Sequence, residues 1–133
     1  MRMTAGLKKE TAMSIMNKQR ETAKDNVLNA LARAKLQEYL VIDGYTYPCK
    51  GGWVPGRLLN HVSIGGEDGK RRKRNLQEEG WIIEKRKMLN SASYEYRLVC
   101  TKHEAQRIVM NYYGRITPQM IYGLKPKQVG LFD

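Results

Sequence analysis

The chain has 133 residues and carries 24 Lys+Arg against 13 Asp+Glu, a formal net charge of +11. That length holds one domain with extensions and excludes a large cofactor-binding enzyme fold. It contains no run of about 18 apolar residues of the kind that spans a membrane. Met1-Arg2-Met3-Thr4 does not open a secretory signal, and Cys49 and Cys100 are too few for a disulfide framework. The expected setting is a reducing cytoplasm, with no membrane partner. A small basic chain is suited to a polyanion, and nucleic acid is the commonest.

Residues 1–20 read as a helical or disordered basic arm. From Glu21 to Leu36, Ala23, Val27, Leu31 and Ala34 form one apolar stripe at helical spacing. The period then changes. Tyr39–Ile42 and Tyr45–Tyr47 flank Asp43-Gly44, which predicts a tight hairpin. Lys50-Gly51-Gly52 is a loop and Trp53-Val54 a short extended piece. Pro55 suits the first position of a helix carrying Leu58, Leu59 and Val62. The glycine-rich stretch 65–69 breaks the chain before a second helix, Asp68 to Glu79, stopped by Gly80. Trp81–Lys87 and Tyr94–Val99 alternate as paired strands around the tip Asn90-Ser91-Ala92-Ser93. Thr101-Lys102-His103-Glu104 is a capping box, opening a helix to about Tyr113 with Ala105, Ile108, Val109 and Tyr112 on one face. Residues 114–133 contain Pro118 and Pro126, show little periodicity and read as a flexible tail. The expected class is α+β, with the domain over 21–113.

The surplus charge is unevenly spread. Residues 41–66 hold two basic and one acidic side chain, whereas Lys70 to Arg74 is an unbroken run of cations. Lys85-Arg86-Lys87 follows on the predicted strand. A single run of this kind can be a solvated helix face; two runs, separated by a helix end and a strand start, suggest a joint surface.

Helix, turn, helix and two-stranded hairpin is the order of a winged helix-turn-helix domain. The stretch Arg71-Arg72-Lys73-Arg74-Asn75-Leu76-Gln77-Glu78-Glu79-Gly80-Trp81-Ile82-Ile83-Glu84-Lys85-Arg86 resembles that family as it occurs in small phage and bacterial DNA-binding proteins. The resemblance implies a winged-helix core with a helical N-terminal extension, an inserted hairpin, a C-terminal helix and a tail. It also implies a double-stranded DNA partner. Lys70, Arg71, Arg72 and Arg74 would then meet the groove and phosphates, and Lys85, Arg86 and Lys87 would sit on the wing. Six to eight such contacts would give a slope of log affinity against log salt of about −5 to −7. Lys73 departs from the family, which usually has an apolar residue there; its stem is expected along the core with the ammonium outside.

At the C-terminus, Gln128-Val129-Gly130-Leu131-Phe132-Asp133 resembles the peptide by which bacterial and phage proteins dock on the replicative sliding clamp. Gln128 would set register, and Val129, Leu131 and Phe132 would supply the apolar contacts; packing back on the domain is the alternative. Cys49, His61, Cys100 and His103 could supply four zinc ligands, and Cys100-Thr-Lys-His103 has a plausible local spacing, but Cys49 and His61 lack a knuckle pattern and zinc is not expected. Glu67-Asp68 and Glu78-Glu79 read as capping or surface charge, and no two-metal spacing or phosphate-cradling loop suggests catalysis. The expected role is therefore non-catalytic duplex DNA binding, with no cofactor or metal, coupled to replication through the clamp peptide. A dimeric winged-helix transcriptional regulator and an RNA-associated adaptor are the competing readings.

Overall fold

A computed structural model describes residues 22–111 and 116–123. Among these, five helices and two small antiparallel sheets make a mixed α+β fold. The first helix, α1, covers residues 22–37 and buries one broad face, leaving Arg33 exposed. Val27, Leu28, Leu31, Ala32 and Ala34 are all buried, a wider face than the single stripe of the sequence. A glycine lets the following loop close in on α1: a Cβ on Gly52 would lie 3.1 Å from the Lys35 Cα.

Strands β1 (Tyr39–Ile42) and β2 (Tyr45–Pro48) form the expected hairpin, paired Ile42 to Tyr45 across the turn. Asp43 and Gly44 both take positive φ (52° and 83°), the backbone that a two-residue hairpin needs. Leu40 and Ile42 point into the core, and His61 pairs with Asp43 at 3.3 Å to tie the turn to the body.

Strand β3 (Val54–Pro55) joins β4 (Ile83–Lys87) and β5 (Tyr94–Leu98) in a sheet of order β3-β5-β4. Between β3 and β4 lie α2 (Gly56–Leu59) and α3 (Gly69–Glu79). Pro55 thus caps α2 instead of opening it, and α2 ends before Val62. Val62 is 85 % exposed, because the chain turns back at Asn60–Ile64 and Ile64 takes the core position. The α2–α3 junction is tight: a Cβ on Gly69 would sit 1.8 Å from the Leu59 carbonyl oxygen. Gly80 ends α3 at φ 116°, left-handed backbone that turns the chain into β4.

Helix α4 (Lys102–Asn111) opens with the predicted capping box. Thr101 Oγ1 accepts from the Glu104 N–H and Glu104 accepts from the Thr101 N–H. Ala105 and Ile108 complete the core.

The expectation of a flexible tail from residue 114 is corrected over 116–123. Helix α5 (Pro118–Tyr122) is capped by Thr117 and buries Ile121. The Tyr122 hydroxyl donates to the Val99 carbonyl at 2.7 Å and accepts from the Ile82 N–H at 3.3 Å, while its ring meets Trp81 edge-on. Burial pushes that phenol up to about 12. A five-residue helix has no room for a repeating apolar pattern, so its signal was limited to the Thr117-Pro118 cap and three apolar side chains. Residues 1–20 and the Gln128–Phe132 peptide lie outside the described residues.

Candidate nucleic-acid interface

Helix α3 is held by its buried face. Leu76, Lys73 and Gly69 are buried while Lys70, Arg71 and Arg74 are exposed. At about 100° per residue, Lys70, Arg74 and Arg71 fall within an arc of roughly 100°. Arg72 lies about 160° around the helix from Lys70 and leaves this face. The Lys70 N–H donates to Asn60 Oδ1, which satisfies one of the free amides at the start of α3.

The β4–β5 hairpin meets α3 through one sheet face. Register pairs Ile83 with Leu98, Lys85 with Tyr96 and Lys87 with Tyr94, and side-chain alternation puts all six on the same side. Ile83, Leu98 and Tyr96 are buried, and the row then emerges as Lys85, Lys87 and Tyr94 at the surface. Lys73 Nζ lies over the Tyr96 ring at 4.8 Å from its centroid, and Lys85 Nζ lies over Tyr94 at 4.7 Å. The Lys70 stem passes over Gly56, where a Cβ would be 2.9 Å from Lys70 Cε and 3.3 Å from the Tyr96 ring. Lys70, Arg74 and Lys85 therefore gather around Lys73. None of Lys70, Arg71, Arg74, Lys85 and Lys87 has an ion-pair partner among the described residues.

The Lys73 side chain differs from the sequence expectation. At 9 % exposure it is largely covered, and its ammonium has protein partners: it lies over the Tyr96 ring and donates to Gln77 Oε1 at 3.1 Å. Burial lowers its pKa first, and the charges of Lys85, Arg74 and Lys70 lower it further. Tyr96 is pushed upward, chiefly by burial.

Neither family models, curated proteins nor solved structures yield a match to this chain.

Arg86 is not brought to the platform. It stands on the opposite sheet face, paired with Glu95 and stacked on Trp53. Arg97 stacks on the same ring and pairs with Glu84. The period-two pattern of Lys85-Arg86-Lys87 already separates Arg86 from its neighbours, but which face α3 covers is decided by tertiary packing. Sequence reasoning missed the tyrosines. Tyr94-Glu95-Tyr96 alternates in register with Lys85 and Lys87, and that was the available signal.

The remaining candidates do not assemble into a metal centre. Cys49 is buried beneath the hairpin and its thiol is pushed up to about 11 by burial. Cys100 is half-buried, also raised to about 11, and His103 is exposed on α4. Among the described residues no three His, Cys, Asp or Glu side chains converge, and no helix is long and apolar enough to cross a membrane.

Proposed function

We propose that the chain is a winged-helix protein that binds duplex DNA without catalysing a reaction. One observation carries the reading. Lys70, Arg71, Arg74, Lys85 and Lys87 come from two remote segments and have no carboxylate partners among the described residues, and three of them, Lys70, Arg74 and Lys85, act on a partly desolvated Lys73. Like charges gathered in this way oppose folding, and an external polyanion relieves the repulsion. The order α1, β3, α2, α3, β4, β5, with β3 beside β5, supports a winged-helix reading. In that arrangement α3 enters the major groove and the wing follows the adjoining backbone.

Two assignments change with this geometry. Arg86 becomes a brace of the wing, and Arg72 is directed away from the platform. Five exposed cations remain, which corresponds to a salt slope of about −4.5, shallower than the sequence suggests.

The test is fluorescence anisotropy of a labelled duplex with the wild type and with Lys70→Gln/Arg74→Gln/Lys85→Gln. The triple variant should bind more weakly and lose about three units of salt slope. Unchanged affinity would remove the proposal. The tail peptide adds a tether to this reading on sequence grounds: Gln128, Val129, Leu131 and Phe132 would dock on a sliding clamp. Clamp capture should be lost when the chain is truncated before Gln128; equal capture by both forms would refute the tether.

A further inference from the structure

The outer face of the three-stranded sheet presents a second surface, turned away from Lys85 and Lys87. Pairing of β3, β5 and β4 places Trp53 next to Arg97, and Pro55 next to Glu95 with Arg86 beyond. The guanidinium carbons of Arg86 and Arg97 stand 4.1 and 4.6 Å from the Trp53 ring centroid. Each is paired with a carboxylate of the neighbouring strand, so the charges of the stack are matched. Beside it opens a cleft of about 340 Å³, walled by Tyr47, Pro48, Trp53 and Met88. Lys50 and Arg57 stand on its rim, exposed, and neither forms an ion pair among the described residues. With Glu95 engaged by Arg86, the cleft has a net positive rim over apolar and aromatic walls.

That combination selects a ligand with flat apolar groups strung on an anionic backbone. In a duplex the base faces are covered by their neighbours, whereas in a single strand they are open to stacking. The geometry points to an unpaired DNA strand lying in this cleft, with a base against Trp53 or Tyr47 and phosphates on Lys50 and Arg57. Cleft and cationic platform occupy opposite faces of the same two strands. The wing then stands between a duplex and a departing single strand, and the substrate is a duplex–single-strand junction. Only the duplex arm of this inference rests on the function proposed above.

The experiment uses the full chain and four labelled probes: a blunt duplex, the same duplex with an unpaired oligo-dT arm, oligo-dT alone and an oligo-glutamate peptide. The junction should bind about tenfold more tightly than the blunt duplex, the gain typical of one stacked base. Oligo-dT should quench tryptophan emission through Trp53, since Trp81, the other tryptophan, is buried. Lys50→Glu/Arg57→Glu changes two exposed side chains that make no hydrogen bond among the described residues. It should bring junction binding down to the duplex value and leave duplex binding unchanged. Equal wild-type affinity for junction and duplex, a junction preference kept by the double variant, or binding of oligo-glutamate in place of oligo-dT would each overturn the inference. Quenching by oligo-dT without duplex binding would support the cleft and refute the platform.

Discussion

Lys73→Met separates the cost of the cationic platform from the rest of the fold. The lysine has three cationic neighbours, Lys70, Arg74 and Lys85. Taking a separation of about 6 Å in a water-like medium, Coulomb's law gives a repulsion of roughly 0.7 kcal/mol per pair, or about 2 kcal/mol for three such pairs. A Debye length of about 8 Å at physiological salt reduces this to about 1 kcal/mol. Against it stand the contact with Tyr96, about 0.5–1 kcal/mol, and the hydrogen bond to Gln77, about 1 kcal/mol. Methionine keeps the volume and removes all of these electrostatic effects together. The variant should equal or exceed the wild type in stability at about 10 mM salt, where repulsion is largest. Its advantage should shrink by about 1–2 kcal/mol as salt approaches 1 M. Urea unfolding at the two salt concentrations measures the difference. A stability difference independent of salt would refute the claim that these cations act on one another. The pH dependence follows the same logic. A lysine whose folded pKa is depressed leaves the unfolded chain holding more protons between the two pKa values, so Lys73 adds stability as pH rises toward 10.5. The raised Cys49 and Cys100 thiols remove stability between about 9 and 11 in both proteins, so the wild type should gain on the variant against that common fall.

Gly69→Ala should destabilise by more than about 3 kcal/mol or abolish soluble expression, because its Cβ meets backbone oxygen at 1.8 Å. Gly66→Ala, where φ is +68° but the space is open, should cost only about 1 kcal/mol; equal effects in thermal unfolding would show that the α2–α3 junction is looser than described. Tyr122→Phe should cost about 1–3 kcal/mol, since it leaves the Val99 carbonyl and Ile82 N–H without their partner. No loss on chemical denaturation would mean that α5 does not hold the base of the β4–β5 hairpin.

Local chemistry carried most of the fold. The Asp43-Gly44 turn, the Gly80 stop and the Thr101/Glu104 box each act within a few residues and were readable from sequence. What escaped depends on contacts between distant segments. Val62 follows helical spacing from Leu58, yet α2 stops short because Gly65 and Gly69 pull the chain across Leu59. The orientation of Lys73 depends on Tyr96, which lies on another element. At the candidate site, composition identified the two cationic runs but not the register of β4 against β5 that divides Lys85 from Arg86. Short α5 illustrates the same limit: its burial comes from Trp81 and Val99, far back in the chain.

The most direct measurement is the salt dependence of the wild-type chain's affinity for a blunt duplex, followed by anisotropy across a tenfold range of salt. Five phosphate contacts predict a slope of about −4.5 in log affinity against log salt. A slope shallower than about −2 would contradict a shared surface built by α3 and the wing.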